Sequence, residues 1–264
     1  MSLTILAISL LVSAPAAAPP APASLVPFTA PDSAARLERS KHKVDFFPLV
    51  NQFESQQNLG YCGPATAVIV LNTLRIDNPA IAKPRDEGLF PAQYRSRLPP
   101  GLDPVFSRYT QGAFFDAQTQ SVKTRDQFFG TPRAPGQKPS PGLELRELGG
   151  ILAAHGLTVE VRVVDDKTSD ESVRKELLEN LRTPGDYAVV NYFRPALGQK
   201  GGGHISPLGA YDQESDSFLI LDVNPNAQKW VWVPATALVK AMRTKDVNEN
   251  RGYLLVREGK ANPR

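Results

Sequence analysis

Gln56-Gln57-Asn58-Leu59-Gly60-Tyr61-Cys62-Gly63-Pro64 is a polar turn that runs directly into the apolar stretch 65–74. Ala67, Val68, Leu71 and Leu74 recur at near-helical spacing, Pro64 suits a first helical turn, and Asn78-Pro79 marks the exit. A helix therefore begins at the cysteine. Unpaired N–H groups and the helix dipole favour thiolate over thiol at such a position, which makes Cys62 a candidate nucleophile. It is also the only cysteine in 264 residues. It has no partner for an internal disulfide, and a structural zinc site draws on several cysteines or histidines. The competing reading, a small buried hydrophobe, accounts for none of these surroundings.

Beyond this helix, residues 79–142 are rich in Pro, Gly and Arg and read as surface loops around short helical pieces. Leu145, Leu148, Ile151 and Leu152 then form one stripe on a helix closed by His155-Gly156, and residues 158–164 alternate as a strand. A second amphipathic helix is predicted over 170–181, followed by strands at 187–193, 205–211, 218–223, 230–233 and 252–256, with a helix at 236–242. Helices come first and strands later. This order predicts an α+β domain in which a helical part carrying the cysteine packs against an antiparallel sheet.

Composition narrows the function classes. Hydrophobic residues make up 41% of the chain, enough for a substantial core without staples, and the net charge of +3 comes from interspersed acidic and basic residues. Arg36, Arg39, Lys41, Lys43 and His42 lack an aromatic stacking platform, so they read as a solvated, flexible lead-in and no nucleic-acid partner is expected. At the N-terminus no charged side chain precedes Asp32, and residues 3–12 are apolar, too short a run to span a bilayer. This suits a signal peptide of residues 1–23, cut after Ala21-Pro22-Ala23, although no Lys or Arg follows Met1. The expected product is periplasmic or secreted, with no membrane anchor in its mature form. The organisation that follows is 1–23 signal, 24–43 lead-in, 44–258 catalytic domain and 259–264 tail.

A cysteine nucleophile needs a base and an oxyanion donor. His204 follows three glycines, Gly201 to Gly203, that would let a substrate approach closely, and it begins a strand. If the flanking strands pair about a centre near Gln213, Asp222 stands opposite His204 and can orient the imidazole. A slip of one residue would spoil that pairing. Gln56, in the turn before the helix, can offer its amide to an oxyanion beside the Cys62 N–H. His42 and His155 are weaker candidates for the base. His42 lies in the charged lead-in, and His155 reads as a helix C-terminal residue favoured by the dipole.

The stretches 52–56 and Tyr61-Cys62-Gly63-Pro64-Ala65, the segment Gly202-Gly203-His204-Ile205-Ser206-Pro207-Leu208, Ile220-Leu221-Asp222-Val223 and Arg251-Gly252-Tyr253 resemble the phytochelatin synthase family, most closely its short bacterial form. The similarity runs from about Val44 to Val256 and includes Thr110-Gln111-Gly112-Ala113-Phe114-Phe115. The resemblance implies a papain-like fold, a triad of Cys62, His204 and Asp222, and Gln56 at the oxyanion hole. It implies substrate binding by Asp246, Arg251 and Gly203, with the first two holding a γ-glutamyl group. The implied reaction is thiolate attack on glutathione, release of glycine and formation of a γ-glutamylcysteinyl acyl-enzyme. Because the chain lacks the cysteine-rich region of the longer relatives, water is expected to resolve that intermediate more often than a second glutathione. No cofactor or resident metal is expected, and ions such as cadmium would act through glutathione thiolates. A homodimer is compatible with this reading. Two alternatives stay open: a papain-like peptidase resembling bacteriocin leader peptidases, and a non-catalytic periplasmic module that binds thiol–metal complexes.

Overall fold

The computed structural model describes residues 24–226 and 229–259. In chain order its main elements are β1 (Val26–Pro27), α1 (Ser33–Arg39), α2 (Phe46–Asn51), α3 (Cys62–Arg75), α4 (Ala117–Val122), α5 (Arg125–Phe128), α6 (Leu145–Ala154), β2 (Leu157–Val163), α7 (Asp170–Asn180), β3 (Asp186–Phe193), β4 (Gly203–Asp212), β5 (Ser217–Ile220), β6 (Val231–Pro234), α8 (Ala235–Met242) and β7 (Gly252–Glu258). The strands form one sheet in the order β1-β6-β5-β4-β3-β7-β2, antiparallel throughout. The expected signal peptide and residues 260–264 lie outside the described residues. Among the described residues no helix is long and apolar enough to cross a membrane.

The α+β expectation holds, with one refinement. Both faces of the sheet are covered, because β3 and β4 are buried along nearly their whole length and not on alternate positions. Val189 faces the core under α3 and α6, whereas Ala188 and Val190 face the core under α7 and α8. Leu148 and Ile151 of α6 are fully buried in the first of these cores, each contributing roughly 1.5–3 kcal/mol of apolar transfer. Helix α3 is buried on almost every side. Its Thr66 hydroxyl donates to the Ile205 carbonyl at 3.3 Å, which fixes the helix start against β4.

The stretch 24–43, expected to be a flexible lead-in, is instead built onto the sheet. β1 pairs with β6, the Trp232 indole N–H donates to Ser33 Oγ at 2.8 Å, and Arg39 grips Asp212 through two N–H groups at 2.9 and 2.6 Å. His42 is buried, with its backbone carbonyl on the Tyr211 N–H and its Nδ1 accepting from Arg182. Burial and the Arg182 charge push its pKa down, so it is a neutral structural group. The partners of this segment lie far along the chain, where local charge patterning does not reveal them.

The pairing of β4 with β5 differs from the expected register in an informative way. Asp212 pairs with Ser217, so the turn is centred between Glu214 and Ser215 and not near Gln213. Continued unbroken, that register would place Pro207 across from Asp222 and turn His204 to the other face. A bulge between Leu208 and Ala210 shifts it by one residue, after which Leu208 pairs with Ile220 and the Leu221 N–H reaches the Pro207 carbonyl. Ser206 then stands across from Asp222, and His204, two residues along, shares its face.

Candidate active site

Cys62 is the first residue of α3 and lies in a cleft of about 330 Å³ that His204, Asn191, Asp246 and Arg251 also line. His204 Nε2 is 3.0 Å from Asp222 Oδ1 and 3.0 Å from Ser206 Oγ, which leaves Nδ1 as the nitrogen available to the sulfur. Burial alone would push the Cys62 thiol up. A hydrogen bond from His204, the imidazolium charge and backbone donors at Ile205 and Gly63 outweigh it, and the thiol is held below its ordinary value. Burial would likewise depress His204, but Asp222 and Cys62 favour its charged form and raise its pKa. Both shifts favour the thiolate–imidazolium form of the pair, and the two groups titrate as a coupled unit.

Iodoacetamide is accordingly expected to alkylate Cys62 with an inflection below the about 8.5 of a free thiol, and His204→Ala is expected to move that inflection up. A wild-type inflection at the free-thiol value would overturn the ion pair. The measurement is alkylation rate against pH.

Asp222 is completely buried and lies two residues beyond the end of β5. Besides His204 it accepts from Tyr192 Oη at 3.1 Å, from Asn224 N–H at 2.8 Å and from Arg194 Nη2, which is 2.8 Å from Oδ2. Burial would raise its pKa, but His204, Arg194 and the Asn224 N–H overcome this and hold it below the usual carboxylate range. Arg194 is buried as well, and its Nη1 donates to Gln199 at 3.1 Å. Sequence reasoning missed Arg194, Tyr192 and Ser206. The available signal was an arginine directly after a strand, residues 187–193, that is mostly apolar and aromatic.

The remaining expected residues fall at or near the same cleft. Arg251 Nη2 donates to Asp246 Oδ1 at 2.8 Å, and Asn191 Nδ2 donates to Asp246 Oδ2 at 3.1 Å. Arg251 Nε is buried without a partner. Gly203 is less open than the glycine run suggested: a Cβ there would stand 2.8 Å from Arg251 Nη2, so glycine is what allows the guanidinium to lie across β4. Gln56 is buried in the turn before Cys62, but its Nε2 donates to the Asn58 and Leu59 carbonyls at 2.7 and 3.2 Å. Its Oε1 has no partner. His155 caps α6 and is 3.6 Å from Asp116, in a different part of the molecule from the cleft-lining residues.

A helix-borne cysteine and a sheet-borne histidine thus share one cleft with an acid–arginine pair, and a buried aspartate backs the histidine. The family model described as phytochelatin synthase matches residues 17–88 and 104–253. The chain belongs to the phytochelatin synthase family. It is 28% identical over 220 residues to glutathione gamma-glutamylcysteinyltransferase 3 of Lotus japonicus, covering 83% of this chain and 38% of the relative. It is 24% identical over 215 residues to the glutathione gamma-glutamylcysteinyltransferase of Schizosaccharomyces pombe, covering 80% of this chain and 43% of the relative. The chain therefore spans less than half the length of either relative. Among solved structures it is similar to xylellain, a cysteine protease from Xylella fastidiosa, with a TM-score of 0.39, 15% identity, and coverage of 86% of this chain and 89% of that one.

Proposed function

We propose that this member of the phytochelatin synthase family cleaves glutathione through a γ-glutamylcysteinyl acyl-enzyme. The observation that carries this reading is the Cys62–His204 pair in one cleft with the Asp246–Arg251 pair. Asp246 suits the substrate α-ammonium, and Arg251, with its unpartnered Nε, suits the α-carboxylate. The bound γ-glutamyl group presents the cysteinyl carbonyl to the sulfur. Thiolate attack forms a C–S bond, and the charge on the carbonyl oxygen is met by the Cys62 N–H at the helix start. The Gln56 amide joins once one of its two loop bonds is released. His204 then gives its proton to the departing glycine amine as the C–N bond breaks. In the second half His204 takes a proton from water, which attacks the thioester and frees γ-glutamylcysteine.

Water is favoured over a second glutathione by space. At about 330 Å³ the cleft is at the small end of the roughly 300–1,000 Å³ typical of ligand pockets, a size suited to one small peptide. Transfer to a second glutathione, giving phytochelatin, is the minor route. Cadmium would enter as a glutathione thiolate complex and so as substrate. Incubation with glutathione, with and without cadmium, is expected to give glycine and γ-glutamylcysteine in equal amounts, with little (γ-glutamylcysteinyl)2-glycine. Mass spectrometry reads the products, and intact glutathione after prolonged incubation would reject the reading. Export directed by residues 1–23 belongs to the same proposal, and N-terminal sequencing of the protein from its host tests it.

A further inference from the structure

Glu144 lies outside the catalytic set, yet its carboxylate ties the start of α6 to a turn beside the cleft. It is buried at the start of α6, where Oε1 accepts from Asn248 Nδ2 at 2.6 Å and from Ser140 Oγ at 3.1 Å, and Oε2 accepts the Asn248 N–H at 3.0 Å. Asn248 sits in a tight turn: Lys245 bridges to Asn250, and the Asp246 N–H donates to the Glu249 carbonyl at 2.8 Å. The turn thus carries Asp246 and leads directly into Arg251. On the other side, Leu143 packs so closely over Gly63 that a Cβ there would stand 2.8 Å from Leu143 Cδ1. The residue before Glu144 is therefore seated on the residue after Cys62.

We propose that Glu144 is a positioning residue for γ-glutamyl recognition, holding the Asp246–Arg251 turn at a fixed distance from Cys62. The inference rests on the γ-glutamyl reading of that pair. The chemistry calls for a carboxylate, because one side chain must accept three hydrogen bonds through two oxygens, and glutamine offers only one such oxygen. Its charge also acts on Arg251: burial pulls the guanidinium pKa down, and Asp246 and Glu144 oppose that pull. A recognition pair displaced by about 1 Å loses productive geometry, on the order of 100-fold in the worst case.

The test measures glutathione binding by calorimetry in a Cys62→Ala background, where no turnover occurs, alongside steady-state kinetics in the otherwise intact enzyme. Glu144→Gln and Asn248→Ala are each expected to weaken binding and raise KM by about tenfold. In both, kcat should stay within about threefold and the Cys62 alkylation profile should be unchanged. The double variant should be no worse than the poorer single one, since the two residues share one contact. Asn248→Ala leaves α6 and Glu144 intact, so it carries the test if Glu144→Gln does not fold. Affinity within twofold of the parent in the folded variants, or a changed alkylation profile, would overturn the role. So would an absence of glutathione binding by the parent. Glutathione that binds tightly, weakens tenfold in the variants and is never cleaved by the intact enzyme would sink the hydrolase reading and leave the positioning role standing.

Discussion

Cys62→Ala is expected to abolish glycine release from glutathione, with turnover falling by about 10⁴-fold or more. The size of the effect follows from the sharing of roles in the cleft. Thiolate attack is the only covalent chemistry that these side chains offer there, and His204 without the sulfur has nothing to activate but water held at no defined position. The α3 N-terminus and the Asp246–Arg251 pair would still bind substrate, so the loss should fall on kcat and leave glutathione affinity near its parental value. Cys62→Ser is expected to be nearly as inactive, because an alcohol is not ionised by a neighbouring imidazole as a thiol is. Glycine release that persists in Cys62→Ala would reject the acyl-enzyme outright, and amino-acid analysis of the reaction measures it. A smaller loss, confined to KM, would reassign Cys62 to binding.

That expectation could be written from the sequence, since the turn into α3 and the lone cysteine are local features. The helices at 145–154 and 170–180 and most strands were legible for the same reason, their apolar periodicity being strong. The meeting of His204 with Asp222 was reached through the wrong register. The turn is displaced from the assumed centre, and the bulge beside Gly209 restores the shared face. Both features depend on the pairing of whole strands, which single-residue patterns do not encode.

The segment 24–43 was misread for a related reason. Its basic residues look solvated until Asp212, Tyr211 and Trp232 are brought beside it by the sheet. Arg194 is the most consequential omission, because a buried arginine is explained only by the carboxylate it meets, and Asp222 is 28 residues away in sequence. Glu144 was equally invisible, its partner Asn248 lying 104 residues further on.

Asp222→Asn is expected to lower kcat/KM by about 10³- to 10⁴-fold and also to destabilise the fold, and the two losses have separate causes. Four charges meet here: the Cys62 thiolate, the His204 imidazolium, Asp222 and Arg194. With Asp222 ionised they cancel, and its replacement leaves a buried site with one excess positive charge. The imidazolium then loses its orienting anion, the His204 pKa falls, and the thiolate loses its partner. Arg194 is buried and loses its counter-charge, keeping at most neutral acceptors at Gln199 and the new amide oxygen, which costs about 3–5 kcal/mol as an unpaired cation. Arg194→Met separates the causes. It should lose stability because the buried carboxylate gives up one of its two cationic partners, but it keeps the Asp222–His204 contact and so should retain far more activity than Asp222→Asn. The pH dependence follows from the depressed Asp222 pKa. Its contribution to stability is fully present above the unfolded carboxylate value of about 3.9 and is lost as pH falls through the lower folded value. Removing Arg194 raises the folded value, so acid unfolding of Arg194→Met should begin at a higher pH than in the parent. Chemical denaturation at several pH values, together with kcat/KM for both variants, checks each part. A loss of less than tenfold in folded Asp222→Asn would remove Asp222 from the triad, because a carboxylate that merely fills space beside Arg194 has no reason to govern the thiol.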